Sequence, residues 1–452
     1  MFLFEELKFR NLIKDYSDKK KLKKLLNQDK IFFYCGFDST AGSLTIGHLV
    51  QIITFLLLKQ KGHRIFILIG GLTTLIGDPK INKERNLLSL QEVNANSNKI
   101  KKQLKKILSQ KKITFQERKL LSFEEINNYP DKIKKQMEDI LSRDEVNFIN
   151  NYDWVSKICL ISFFRDYCKH FNINYMISKD KIAQRLKTGI SYTEFSYMIF
   201  QALDFYYLYK NYNVHLQIGG SDQWGNITSG LELIRKMEIN ELSDNKSVAG
   251  MSFPLLLDNK GDKIGKSEDN AIWLDEKLTS PYQMYQFFLN SNDINVIDYL
   301  KMLTLLEVDE IIKLEKETKE NPEKRLAQKE LAKQVIRFVH GQDIVEECIQ
   351  VNNILFNQEE IIFKIEDFLL LKKHLFFFEV NRQISLIDAL VQTKIAYSKN
   401  QAKNLILAGS IKIFQKSIKN KFFLLDNEQA LFKKYIILTR KNKINALIIF
   451  KS

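Results

Sequence analysis

Three short β-prone runs, at 31–37, 64–69 and 214–218, reach glycines at or just past their ends: Gly36, then Gly70 and Gly71, then Gly219 and Gly220. Between the first two runs, residues 49–61 carry apolar side chains at helical spacing, which reads as strand, helix, strand. Further helices are expected at 98–109, 161–171 and 193–209, the last just ahead of the 214–218 strand. Alternation of this kind builds an α/β fold, a Rossmann-like doubly wound parallel sheet with helices on both faces. Such sheets bind ligands at the carboxyl ends of their strands, and the glycine turns fall there.

With 452 residues, 45% of them hydrophobic, the chain is long enough for two or three domains. The sheet would occupy 1–250, interrupted at about 115–151 by a polar, lysine-rich, helix-prone insertion with no evident chemistry. A linker at 251–280 carries a lysine-bearing loop, and a charged, purely helical domain is expected at 281–350. The last segment, 365–452, reads as a small α+β domain: two helices, the second entered through Ser398, then Gly409 and β-prone runs at 410–414 and 435–439. Residues 394–452 hold 13 Lys or Arg against two Asp or Glu. Together with a net charge of +15 and a pI near 9.3, this points to an anionic partner, nucleic acid or a membrane surface, although a lysine-rich proteome gives the same excess. No apolar run reaches membrane-spanning length, and Glu5, Glu6, Lys8 and Arg10 argue against a signal peptide. Cys35, Cys159, Cys168 and Cys348 lack the paired spacing of metal ligands, so no metal site is expected and a reducing, cytoplasmic setting fits.

Four stretches and one further aspartate carry candidate chemistry. The first, YCGFDSTAGSLTIGHL at 34–49, runs from a strand end through a small-residue turn into a helix opened by Thr45, Ile46, Gly47 and His48. Free amides at a helix start favour phosphate and Gly47 leaves room for a flat ring, although a helix start with no ligand is the plainer alternative. Asp78, after a glycine- and threonine-rich bend, could hold a ligand or simply cap the next helix. In the 193–209 helix, Tyr197, Gln201 and Asp204 are spaced by four and three, so they share one face, either the solvent side or the wall of a polar pocket. At 214–230, VHLQIGGSDQWGNITSG sets Gly219 and Gly220 beside Asp222 and Gln223, groups suited to ribose hydroxyls and a polarised carboxyl group. Finally, Lys263 and Lys266 flank Gly265 after a tight turn at 259–262; they form a solvated loop or neutralise phosphate charge.

In this order the motifs resemble those of the bacterial-type tyrosyl-tRNA synthetases, within the class I aminoacyl-tRNA synthetases, over almost the whole chain outside 115–151. The resemblance implies activation of tyrosine by ATP to tyrosyl-adenylate and pyrophosphate, then transfer to the 3′ end of tRNA(Tyr). It places Tyr34, Asp78, Tyr197, Gln201, Asp204 and Gln223 around tyrosine, with Tyr34 and Asp204 on the phenol. Cys35, Gly36, Asp38, Gly47, His48, Gly220, Asp222 and Lys266 would hold ATP, while Thr40, Thr45, His48, Lys263 and Lys266 would serve the chemical step. Thr45 stands where the family's signature usually has histidine. Lys80, Lys83 and Arg85 would close on pyrophosphate from a loop. The C-terminal segment is similar to a small RNA-binding module shared with a ribosomal small-subunit protein, which would put Lys399, Lys403 and Lys412 on tRNA phosphates; a lysine-rich dimer contact is the alternative. A homodimer, Mg²⁺ accompanying ATP and no tightly bound cofactor follow from the same resemblance. The nearest enzymatic rival, tryptophanyl-tRNA synthetase, is disfavoured by Tyr34 with Asp204, a pair that an indole N–H does not need. A catalytically dead RNA-binding relative would have lost His48, Asp78, Gln201, Lys263 and Lys266, and all are present.

Overall fold

The computed structural model describes residues 2–27, 30–79, 86–108, 146–238, 248–257, 264, 271–356, 363–414, 416–440 and 444–451. They form two compact units, Met1–Asp275 with Asn292–Pro322, and Glu276–Ser291 with Glu323–Ser452.

The first unit is built on six strands: β1 (Asp15–Tyr16), β2 (Phe32–Asp38), β3 (Arg64–Gly70), β4 (Asn147–Asn150), β5 (Val214–Gly220) and β6 (Ala249–Phe253). Their order is β1-β6-β5-β2-β3-β4, with β2 to β6 parallel and β1 antiparallel at one edge. From β2 the chain steps to β3 on one side, and from β5 to β6 on the other. The strand order therefore reverses between β2 and β5, and a crevice opens there at their carboxyl ends. Helix Gly47–Gln60 is buried almost all round, from Leu49 through Leu58, as expected for the crossover between two parallel strands.

Several elements depart from the sequence expectation. The helix expected at 98–109 spans Leu90–Leu108, because Ser89 and Glu92 form a reciprocal cap: Ser89 N–H donates to Glu92 Oε2 at 2.8 Å and Glu92 N–H to Ser89 Oγ at 3.3 Å. The helix expected at 161–171 is broken into a short α turn, a π turn at Phe163–Tyr167 and a 3₁₀ turn at Cys168–His170. The wide turn stacks Phe163 on Phe200, centroids 5.1 Å apart, while Leu160 and Ile161 face outward. The stretch read as an insertion at 115–151 is no appendage at its far end, since 147–150 is strand β4, in register with β3. Its part up to residue 145 lies outside the described residues. The sheet also runs past residue 250, through β6.

Helices Asp293–Leu303 and Val308–Glu320 group with the sheet. The cause is visible in Arg10, only 2% exposed, whose guanidinium donates to Thr304 O at 3.2 Å and Leu306 O at 2.7 Å. The helical run at 281–350 is therefore shared between the units. In the second unit, helices Pro281–Leu289, Leu326–His340, Gln342–Phe356 and Ile365–His374 pack together. A basic module follows, with β7 (Phe376–Val380), β8 (Gln383–Ser385), β9 (Ile411–Ile413), β10 (Lys416–Ile418), β11 (Leu424–Asp426), β12 (Tyr435–Arg440) and β13 (Ile444–Phe450). Five of these form a sheet ordered β10-β9-β12-β13-β7, and β11 pairs with β8. Its two helices, Leu386–Gln392 and Lys399–Leu407, close a core that includes Leu390, Ile406, Ile436, Leu438 and Phe450. Ser398 caps the second helix, and Gly409 ends it at φ +64°, as the sequence suggests.

Candidate active site

The crevice between β2 and β5 holds a cavity of about 370 Å³. Tyr34, Cys35, Gly36, Asp38, Thr40, Thr45, Gly47, His48, Asp78, Tyr197, Gln201, Asp204, Gly220, Asp222 and Gln223 all line it. Lys80, Lys83, Arg85, Lys263 and Lys266 lie outside the described residues. Ile264, between the two lysines of the KIGKS motif, lines the cavity, and its N–H donates to Leu256 O at 3.0 Å.

One end of the cavity is a buried hydroxyl and a buried carboxyl group. Tyr34, 1% exposed, packs its ring on Phe205 and finds no hydrogen-bond partner for its hydroxyl among the described residues. Asp204, also 1% exposed, accepts from Asn151 Nδ2 at 2.9 Å on one oxygen and from Trp154 Nε1 at 3.1 Å on the other. Burial raises its pKa from 3.8 to about 8, against the pull of those two donors and with some help from the charge of Asp38. Asn151 continues the chain of contacts by donating to Thr73 Oγ1 at 3.1 Å. Thr73 donates to Asp38 Oδ1 at 2.9 Å, and Tyr197 donates to Asp38 Oδ2 at 2.8 Å. One hydrogen-bonded belt thus runs from Trp154 through Asp204, Asn151, Thr73 and Asp38 to Tyr197.

A second network adjoins it around Asp78. Asp78 Oδ2 accepts from Lys181 Nζ at 2.9 Å and from Gln223 Nε2 at 3.2 Å. Asn226 Nδ2 lies 2.9 Å from Gln201 Oε1 and 3.1 Å from Gln223 Oε1. Among the described residues Asp78 caps no helix: the next described one begins at Leu90 and is capped by Ser89. Tyr197, Gln201 and Asp204 share the pocket side of helix Tyr192–Tyr212, so the polar stripe is a cavity wall.

The third wall is the start of helix Gly47–Gln60. Residues 44–46 are pinned there by the run after the lysine motif: Ile46 N–H donates to Ile272 O at 3.0 Å, Leu274 N–H to Leu44 O at 2.8 Å, and Thr45 bridges to Trp273. Thr45 N–H donates to His48 Nδ1 at 3.0 Å, which makes Nδ1 an acceptor and leaves the ring proton on Nε2. Desolvation lowers the imidazole pKa to about 4, so His48 is a neutral donor at physiological pH. The Thr45 hydroxyl is also within 3.1 Å of Nδ1, which ties it to His48. A Cβ at Gly47 would meet nothing closer than Thr45 Oγ1 at 3.7 Å, and one at Gly36 only Leu68 at 4.0 Å. The protein itself does not require glycine at either place, and bare backbone facing the cavity suits a flat ligand. Cys35 is buried, which pushes its thiol pKa up and leaves it a neutral, weakly polar wall.

Sequence reasoning missed Thr73, Asn151, Trp154, Lys181, Gln217 and Asn226. Gln217 was detectable: a strand buried on both faces has no use for an amide, yet Gln217 is 3% exposed, its Oε1 without a partner among the described residues, beside Tyr34 in the sheet register. Asn151 and Trp154 had no such signal, because they follow the lysine-rich stretch. In the second unit, Lys399 is exposed and ion-paired with Asp388 at 2.8 Å, Lys403 is exposed, and Lys412 is half-buried in β9.

Comparison with known proteins adds a family to this geometry. The model for class I tRNA synthetases of the W and Y type matches residues 26–357, and that for the tyrosine–tRNA ligase SYY-like C-terminal domain matches 367–448. A tyrosine–tRNA ligase of Phytoplasma mali is 52% identical over 452 residues, covering 100% of both chains. Tyrosine–tRNA ligase 1 of Bacillus subtilis is 41% identical over 452 residues, covering 99% of each. Among solved structures, a C-terminally truncated mitochondrial tyrosyl-tRNA synthetase of Aspergillus nidulans superposes with a TM-score of 0.64 at 28% identity, over 78% of this chain and 94% of that one. With its parallel sheet, its switch-point cavity and matches along its whole length, the chain belongs to the class I tyrosyl-tRNA synthetases of bacterial type.

Proposed function

We propose that the protein joins tyrosine to tRNA(Tyr) in translation, at the expense of ATP. The observation that carries this is the pairing at the cavity's end: a buried Tyr34 hydroxyl without a partner and a buried Asp204 carboxyl group, both facing the ligand space. A phenol fills this pair completely, accepting from Tyr34 and donating to Asp204. A phenylalanine ring leaves both unsatisfied, at about 1–3 kcal/mol for each buried group. Asp78, Tyr197, Gln201 and Gln223 hold the ammonium and carboxylate end. Cys35, Gly36, Asp38, Gly47, His48, Gly220 and Asp222 hold the nucleotide.

In the first step a tyrosine carboxylate oxygen attacks the ATP α-phosphorus, and the bond to the β-phosphate oxygen breaks, its electron pair leaving with pyrophosphate. The neutral His48 donates Nε2–H to a phosphate oxygen, Thr45 orients that ring, and Thr40, Lys263 and Lys266 meet the charge that develops on pyrophosphate. In the second step a hydroxyl of the terminal tRNA ribose attacks the tyrosyl carbonyl and AMP leaves. Positioning and electrostatics suffice, and no covalent enzyme intermediate is needed. In this reading Mg²⁺ accompanies ATP as part of the substrate. Exchange of labelled pyrophosphate into ATP, with each amino acid offered separately and no tRNA, tests the assignment. Tyrosine alone is expected to support it; exchange with tryptophan, or with none, overturns it.

A homodimer belongs to the same proposal. Leu160 and Ile161 are 71% and 72% exposed and Ile173 is 63% exposed, an apolar surface that a monomer would leave in water. Sedimentation equilibrium should give twice the chain mass, and Ile161→Asp should shift it towards one. No helix among the described residues is long and apolar enough to cross a membrane, and a cytoplasmic setting completes the proposal.

A further inference from the structure

Tyr397, in the basic module, is 86% exposed, although everything around it is fixed. Ile395 and Ala396 before it are each 1% exposed, and Ala402 after it is fully buried. The Tyr397 N–H donates to Gln401 Oε1 at 2.6 Å while Gln401 N–H donates to the N-cap Ser398 Oγ at 3.2 Å, so one glutamine holds the backbone on both sides of the helix start. Upstream, Ala396 N–H donates to Leu390 O at 3.0 Å and Arg440 Nη1 to Ile395 O at 3.0 Å. The ring therefore stands out from a rigid stub. Nearby exposed aromatics differ: Phe376, Phe377 and Phe422 each carry a lysine ammonium over the ring, at 5.6, 4.7 and 5.0 Å from the centroid. No ring or ammonium lies against Tyr397 among the described residues.

The helix that starts two residues later presents Lys399 and Lys403 to solvent one turn apart, with Asn400 and Asn404 alongside. We propose that Tyr397 is a base-stacking residue for an unpaired nucleotide of the RNA partner, with Lys399 and Lys403 on the adjoining phosphates. This rests on the tRNA assignment above and adds to it a specific contact. Charge selects RNA over a protein partner, because residues 394–452 carry 13 Lys or Arg against two Asp or Glu. Stacking selects an unpaired base, because bases inside an A-form helix have no free face. A ring on a fixed backbone has only its two side-chain torsions to lose on binding, and a stacking face tolerates any base.

The test uses the full chain and its tRNA. Tyr397→Ala should raise KM for tRNA about tenfold, leave adenylate formation unchanged and keep the slope of log KM against log salt. Tyr397→Phe, which retains the stacking face, should stay within about twofold of the parent. Lys403→Ala should instead reduce the salt slope by about 0.7, the release expected for one single-strand phosphate. Unchanged tRNA charging by Tyr397→Ala overturns the proposal, as does equal impairment of Tyr397→Ala and Tyr397→Phe. A parent chain that activates tyrosine yet charges no tRNA overturns the tRNA assignment itself, and the stacking contact with it.

Discussion

At the scale of single residues, the protonation of Asp204 sets the charge at the buried end of the cavity, where the proposed reading puts the phenol. Burial raises its pKa from 3.8 to about 8, so between those values the folded chain holds a proton that the unfolded chain has released. Its contribution to stability is therefore fully present below about pH 4 and is lost as pH rises through about 8. Ligand binding runs the other way. Both Asp204 oxygens already accept N–H groups, and the phenol donates best to the ionised form. Tyrosine affinity is thus expected to strengthen from pH 6.5 to pH 8.5. Asp204→Asn should bind tyrosine at least about tenfold more weakly, because an amide turns a donor towards either Asn151 or Trp154, and it should show no such rise. Equilibrium titrations of tyrosine across this range, in both proteins, check the profile; a flat profile in the parent would show that the phenol end does not depend on Asp204 ionisation.

Among the elements, β4 shows most clearly what a sequence reveals and what it hides. The strands β2, β3 and β5, the crossover helix and the polar stripe on helix Tyr192–Tyr212 were legible because each combines local periodicity with a glycine or cap signal. β4 is four residues long and half-buried, and no alternation distinguishes it from the lysine-rich stretch before it. Only pairing with β3 makes it a strand, and that is long-range information. Asn151, which follows it, is fully buried and fully used: Oδ1 accepts from Leu72 N–H at 2.8 Å, and Nδ2 serves Thr73 and Asp204. Asn151→Ala should lower stability by about 2–3 kcal/mol, through the orphaned Leu72 N–H and the lost donors. It should also move the midpoint of the tyrosine pH profile above that of the parent, since Asp204 loses a donor that favours its charged form. Thermal unfolding and the same tyrosine titrations separate these effects; destabilisation with an unmoved midpoint would mean that Asn151 supports the fold but not the carboxylate.

For the whole molecule, the cavity proposed for the chemistry and the basic module proposed to hold tRNA come from separate parts of the chain. Every described residue lining the active-site cavity lies at or before Ile264, whereas the basic module begins at β7 and has its own core. Shortened chains should therefore still make tyrosyl-adenylate, and the choice of end point matters. Helix Ile365–His374 joins its own unit on two sides. Ser280 Oγ donates to His374 O at 3.1 Å, and Lys373 and His374 meet Glu347 at 2.7 and 2.6 Å. On its other side Phe368 stacks on Tyr435 of β12, centroids 4.5 Å apart and 8° from parallel. Ending the chain near residue 358 strips this helix from its neighbours and uncovers the surface under Leu371, while ending it after Leu375 uncovers only the Phe368 side. The longer product is expected to be the more soluble. Both should form adenylate at the parental rate, and both should charge tRNA at least about tenfold less efficiently, with a shallower dependence on salt as the phosphate contacts are lost. Adenylate formation and tRNA charging, measured on one preparation across a salt series, decide the matter. If the chain ending after Leu375 charges tRNA as well as the parent does, the module does not anchor the nucleic acid, and its lysines belong to a contact between protomers.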